Sequence, residues 1–180
     1  MKQGSRIAAF DESFSRSDSE SLVIGMIGRM GSVEGVLSFR VRVDGTDATD
    51  GIIKAIVNSR FNGQVKAAAL NGITLAGLNV IDIEALRKRL RIPVIAITRK
   101  RPRRSLLRLA LRKRGRKECL SVFERNIKDI RIANASGYHV QYIGRDYDDM
   151  RGLVEESTSL LRLAHMTASG VRHGESKGRV

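Results

Sequence analysis

The chain has no tryptophan, one cysteine and two prolines, and aromatic residues make up only 4% of its 180 positions. A lone thiol can neither close an internal disulfide nor pair with a second cysteine in a zinc site. Cys119 is therefore expected as a small side chain in or near the core. With so few rings, the 42% of hydrophobic residues must build that core from Val, Ile, Leu and Ala. No apolar run reaches the roughly 18 residues that a membrane-spanning helix needs. The first residues lack the apolar stretch of a signal peptide. No membrane partner is expected, and a cytoplasmic location is. The glycine spacings of the P-loop and of the dinucleotide-binding turn are also missing, which leaves nucleotide cradles of those two kinds unsupported. The length suits one domain, residues 1–180, large enough to bury a core of its own.

Acidic residues are absent from one long stretch. Positions 87–117 hold fifteen Lys and Arg and no Asp or Glu, which leaves 18 of the 33 basic residues to face all 19 acidic ones elsewhere. The net charge of +14 is thus concentrated in this segment. Such a patch attracts polyanions and makes their binding salt-sensitive. Nucleic acid or another phosphate-rich partner is favoured over a merely solvated helix face.

Along the chain, residues 5–10, 22–27 and 33–43 read as strands, joined by a polar serine-rich turn and a Gly-containing loop. Helical periodicity follows through Ile52, Ile53, Ile56 and Val57 to Arg60. Residues 65–70 and 92–98 read as buried strands with a helix over 81–90 between them. Strand, helix and strand with short links imply parallel neighbours through a right-handed crossover. A basic helix over 105–112, a second helix over 117–127 and a hairpin around Asn134-Ala135-Ser136-Gly137 come next. A last helix runs from Tyr147 to about Thr167, and the polar tail, 170–180, is expected to be mobile. Three antiparallel strands and then two parallel ones, flanked by helices, make a five-stranded mixed α/β sheet of ribonuclease H-like type.

Candidate site residues cluster at strand ends, where open α/β sheets bind ligands. Asp11 follows the first strand, Asp44 and Asp47 the third, Asn71 the fourth, and Lys100 the fifth. Oxygen-bearing side chains meeting at strand tips suit a hard cation such as Mg²⁺, with Mn²⁺ as a substitute, commonly shared with phosphate. Asp11, Asp44 and Asn71 are the expected ligands. Asp44 or Asp47 could equally serve a turn and a helix cap, where acids are favourable. Arg99, Arg101, Arg103 and Arg104 are the expected nucleic-acid contacts, and Lys100 could stabilise a leaving oxyanion. His139 and His165 are read as packing residues.

Several segments resemble the archaeal DUF99 (UPF0215) family of endonuclease V-like proteins. These are Val43-Asp44-Gly45-Thr46-Asp47-Ala48-Thr49, Leu70-Asn71-Gly72-Ile73-Thr74-Leu75-Ala76-Gly77-Leu78-Asn79-Val80-Ile81-Asp82-Ile83 and Pro93-Val94-Ile95-Ala96-Ile97-Thr98-Arg99-Lys100. The C-terminal Leu163-Ala164-His165-Met166 and Gly174-Glu175-Ser176-Lys177-Gly178-Arg179 are similar to the family as well. The resemblance implies likeness to a Mg²⁺-dependent enzyme that cleaves near deaminated bases in DNA or RNA. By position it implies that Asp11 is a metal-binding aspartate, that Asn71-Gly72 stands where endonuclease V has Asp-Gly, and that Lys100 is the lysine ending the fifth strand. The expected aspartate at 71 is an asparagine, and the position of a further glutamate falls near Val41, so Asp44 or Asp47 would have to substitute. The Pro-Tyr-Ile-Pro wedge of endonuclease V has no counterpart around Val33 to Leu37. Three readings stay open: a metal-dependent nuclease, a nucleic-acid-binding module that has lost cleavage, and an interaction protein whose basic segment docks an acidic partner.

Overall fold

The computed structural model describes residues 4–144 and 146–176. Strands β1 (Arg6–Ser13), β2 (Glu20–Arg29) and β3 (Ser32–Arg42) form an antiparallel meander. Helix α1 (Ala48–Val57) follows, burying Ala48, Ile52 and Ile56 at the spacing of one helix face. Strand β4 (Val65–Leu70) pairs in parallel with β1. It leads into a small hairpin of β5 (Thr74–Leu75) and β6 (Asn79–Val80), and then into α2 (Ile83–Leu90). Asp82 caps α2 by accepting a hydrogen bond from the Ala85 amide at 2.9 Å. Strand β7 (Val94–Thr98) lies parallel to β4. Helices α3 (Arg104–Lys113) and α4 (Lys117–Asp129) precede a second hairpin, β8 (Arg131–Ala135) and β9 (Tyr138–Ile143), and the chain closes on α5 (Tyr147–His173).

The main sheet is mixed and has seven strands in the order β3-β2-β1-β4-β7-β9-β8. Five were expected. The two extra strands are the β8–β9 hairpin, which was foreseen as a hairpin but not as part of the sheet. Its strand β9 pairs antiparallel with β7 and satisfies backbone groups that an edge at β7 would leave unpaired. Three antiparallel strands and two parallel ones are otherwise arranged as the periodicity implies.

Side-chain alternation divides the interior into two cores, one on each face of the sheet. Ile7, Ala9, Ile95 and Ile97 pack with Leu161, Ala164 and Ala168 of α5. Ala8, Phe10, Ala68 and Leu70 pack with Ile52, Leu86 and Phe123 beneath α1, α2 and α4. Cys119 is buried in the second core, with its thiol donating to the Gly45 carbonyl at 3.3 Å. The last helix continues past Thr167 to His173, because Ala168 and Ser169 are buried on its inner face and Arg172 pairs with Asp18. The expected mobile tail is therefore helical over its first four residues, and positions 177–180 lie outside the described residues. Among the described residues no helix is long and apolar enough to cross a membrane.

Gly25 of β2 lies directly across from Phe10, and a Cβ there would overlap the buried Phe10 ring. Gly25→Ala should therefore lower stability by about 1–3 kcal/mol, the usual cost of overpacking a filled core. Urea unfolding checks this, and an unchanged midpoint would show that the ring has room to move.

Candidate functional site

Asp11 belongs to the face of β1 that carries Ile7 and Ala9, so its side chain turns toward α5. Strand β1 runs on to Ser13, so Asp11 sits within the strand and not after it. Phe10 pairs with Leu70 in the parallel ladder, which places the next residues, Asp11 and Asn71, beside each other. The Asn71 Nδ2 donates to Asp11 Oδ2 at 2.9 Å, and the Glu12 amide donates to Asp11 Oδ1 at the same distance. Asp11 is only 4% exposed, and these two bonds satisfy a carboxylate that burial would otherwise penalise.

Helix α5 brings His165 to the same point. Its Nδ1 lies 3.1 Å from the Glu12 carbonyl oxygen and 3.4 Å from Asp11 Oδ2. The hydrogen bond to Asp11 raises the His165 pKa against the opposing effect of burial. Lys100 completes the rim at the end of β7, where Thr98 donates through its hydroxyl to the Lys100 carbonyl at 2.9 Å. Asp11, Asn71, Arg99, Lys100, Tyr138 and His165 all line one cavity of about 590 Å³.

Glu12, the next residue along β1, is turned by strand alternation toward the opposite face. Its Oε1 accepts from the Ala76 amide at 3.1 Å. Burial, followed by the charge of neighbouring Asp11, pushes the Glu12 carboxyl up to about 8.

Of the expected set, Asp11 and Asn71 share the cavity, whereas Asp44 does not line it. Asp44 has a left-handed backbone, φ 54°, and clamps the β5–β6 hairpin. Its amide donates to the Ala76 carbonyl, and its Oδ1 accepts from the Leu78 amide, both at 2.8 Å. A side chain at Gly77 would collide with that carboxylate, and φ there is 86°, so the position suits glycine. Asp47 is also engaged: Asn79 Nδ2 donates to it at 2.7 Å and the Arg42 amide at 3.3 Å. Burial is the largest influence on Asp47 and raises its pKa, but the hydrogen bonds from Asn79 and Arg42 together leave it below the usual value. Neither acid lines the Asp11 cavity. Asp47 does not cap α1 through its side chain either. That role falls to buried Asn79, whose Oδ1 accepts from the Ala48 amide at 3.1 Å.

Among the described residues no group of three His, Cys, Asp or Glu is arranged to hold a metal ion. Asp11 is the one carboxylate among the residues that line the cavity, and Asn71 beside it carries a neutral amide oxygen. They suit a cation only of the kind that keeps several waters and is completed by substrate phosphate, as Mg²⁺ commonly is. Of the four expected arginines, Arg99 lines the Asp11 cavity, whereas Arg101, Arg103 and Arg104 line a separate groove.

Glu12 and His165 are the site residues that sequence reasoning passed over. Asp11-Glu12 is an acidic pair at a strand end, and His165 lies four residues after Leu161 on the inner face of the last helix. Those two facts, with the family-like segment Leu163-Ala164-His165-Met166, are the signals the sequence offers.

Because Glu12 binds its proton more tightly folded than unfolded, its contribution to stability is present at pH 4 and is lost as pH rises toward and past 8. Glu12→Gln, which can still accept from the Ala76 amide, should raise Tm relative to the parent at pH 9 and leave it nearly unchanged at pH 4. Thermal melts at the two pH values check this, and an equal shift at both would contradict it.

The Endonuclease dU family model matches residues 3–172. The chain is 36% identical over 189 residues to a UPF0215 protein of Methanothermobacter thermautotrophicus, covering 99% of this chain and 93% of that one. It is 31% identical over 184 residues to a UPF0215 protein of Archaeoglobus fulgidus, covering 97% of each. A crystal structure of a protein of unknown function from Archaeoglobus fulgidus superposes with a TM-score of 0.85 at 29% identity, covering 94% of this chain and 99% of that one. Endonuclease V of Ciona intestinalis, in complex with a 24mer DNA containing an inosine followed by a ribo-adenosine, superposes with a TM-score of 0.56. At 8% identity, over 95% of this chain and 89% of that one, this likeness is one of fold alone. With nearly its whole length matched in sequence, the chain belongs to the Endonuclease dU (UPF0215) family.

Proposed function

We propose that the protein acts on nucleic acid at the Asp11 cavity, cleaving a phosphodiester with the help of a divalent cation. The observation that carries this reading is the convergence of Asp11, Asn71, Lys100 and His165 on one cavity at the C-terminal ends of the parallel strands. The ribonuclease H-like assignment of the sheet belongs to the same reading, supported by its likeness in fold to an endonuclease V bound to DNA. Asp11 and Asn71 would hold Mg²⁺ or Mn²⁺, which would supply an activated water and offset charge on the leaving oxygen. Lys100, exposed at the rim, would meet a phosphate oxygen, and Arg99 would add positive charge beside it. His165 lies beside the Asp11 carboxylate, whose hydrogen bond raises its pKa and favours the charged imidazolium there.

A second reading is binding without cleavage. It is favoured by one observation: Asn71 offers a neutral oxygen, and Asp44, the acid expected to support it, is held at the β5–β6 hairpin. One carboxylate holds a cation more weakly than two or three.

The two readings separate in one assay. Purified protein is incubated with labelled single-stranded and duplex oligonucleotides carrying deoxyuridine or inosine, with Mg²⁺ or Mn²⁺. Cleavage is expected, abolished by Asp11→Ala and reduced about 10²–10³-fold by Lys100→Ala, the range for removing one group that stabilises a developing oxyanion. Salt-dependent binding with no products would establish the second reading. Cleavage that survives Asp11→Ala would remove this cavity from the chemistry.

A further inference from the structure

We propose that a single-stranded nucleic acid crosses the C-terminal edge of β7, running from the Asp11 cavity on one face of the sheet into a second groove on the opposite face. This rests on the reading of the Asp11 cavity as a phosphodiester site and extends it to the path of the strand.

The second groove, about 820 Å³, is lined by Arg101, Arg103, Arg104, Asn134, His139 and Gln141 among others. Strand alternation puts it on the other side of the sheet from Asp11. Val140 and Tyr142 of β9 pack into the core beneath α5, and Tyr138, two residues before Val140, lines the Asp11 cavity. His139 and Gln141 therefore point the opposite way, and both line the second groove. A single strand thus offers successive residues to the two sites.

The chain itself links the two sites over the sheet edge. Thr98, Arg99 and Lys100 line the first cavity, and Arg101, Pro102, Arg103 and Arg104 line the second groove. Arg99, Lys100, Arg101 and Arg103 are exposed. Within the surrounding segment, 87–117, there is no acidic residue to compete for a phosphate. Arg104 is fixed by a hydrogen bond from its Nη2 to Gln141 Oε1 at 3.0 Å, and Gln141 is only 1% exposed. A buried amide engaged by a guanidinium makes a polar floor beneath a cationic rim. His139, half-buried, adds an imidazole to that floor, and Asn134 lies exposed at its edge.

These features select a single strand over a duplex. The path turns across a sheet edge from one face to the other, and duplex DNA, with a persistence length of about 150 bp, resists such a turn. A single strand follows it freely and can splay its bases. Amide and imidazole groups set below a line of cations suit base edges below a phosphate backbone. An acidic polypeptide would satisfy the cations and leave the polar floor unused.

The test uses the full chain and fluorescence anisotropy with a labelled mixed-sequence single strand and a duplex of equal length, over a range of salt. Arg101 and Arg103 are exposed, so the double variant Arg101→Ala/Arg103→Ala should keep its fold, checked by circular dichroism. The wild type should prefer the single strand. The double variant should bind it about tenfold or more weakly, with a salt slope reduced by roughly 0.7 for each phosphate that is no longer neutralised. Wild-type-like binding by the variant would overturn the crossing path while leaving the Asp11 reading intact. A preference for duplex, or displacement of the strand by polyglutamate as effective as by unlabelled strand, would also overturn it. Absence of any nucleic-acid binding by the wild type would overturn both readings together.

Discussion

The parallel pairing of β1 with β4 is the constraint on which the site depends. Ala67, Ala68 and Ala69 are fully buried and small, which lets β4 lie between β1 and β7 with helices on both faces. The register then sets Asp11 against Asn71 with no loop to absorb error. A slip of one residue would turn Asp11 toward the opposite core and bury an unpaired charge there. The amide at 71 also settles an electrostatic problem. It donates a hydrogen bond to Asp11 where a second carboxylate would repel it, so this strand end does not need a bound cation to keep its shape. A cation bound there would be held more weakly than by two carboxylates.

The two most distinctive motifs of the chain turn out to bind each other. Asp44 grips the backbone on both sides of Gly77, Asp47 accepts from Asn79, and Asn79 caps α1 at Ala48. Thr49 adds a further tie by accepting from the Asp82 amide at 2.9 Å. Glu12 holds the same hairpin at Ala76, from the strand that carries Asp11. This network fixes the hairpin against the strand that carries the site. An acid-rich turn can thus be accounted for by backbone satisfaction, with no ion invoked.

Much of this was legible before the structure. Hydrophobic period and short connections locate β1, β4 and β7 and make β4 and β7 parallel. Strand β1 lies parallel to β4, a pairing the sequence leaves open, and that gathers Asp11, Asn71 and Lys100 around one opening. Two kinds of information were out of reach. Which partner a strand-end acid binds depends on residues more than 30 positions away, as between Asp44 and Leu78, and no local pattern reports that. Likewise His165 reads as packing until the position of α5 against β1 is known, because a histidine on an apolar helix face looks the same in either role. The sheet was short by two strands for a similar reason: a hairpin announces itself locally, whereas its pairing with β7 does not.

The central proposal is that Asp11 and Asn71, and not the acids after β3, would hold the cation of the proposed cleavage. Crystals soaked with Mn²⁺ and a short single-stranded oligonucleotide test it most directly through the anomalous signal of the metal. The account predicts a peak beside Asp11 and Asn71, with a phosphate oxygen near Lys100. A peak at Asp44 or Asp47, with the Asp11 cavity occupied by neither metal nor phosphate, would contradict it.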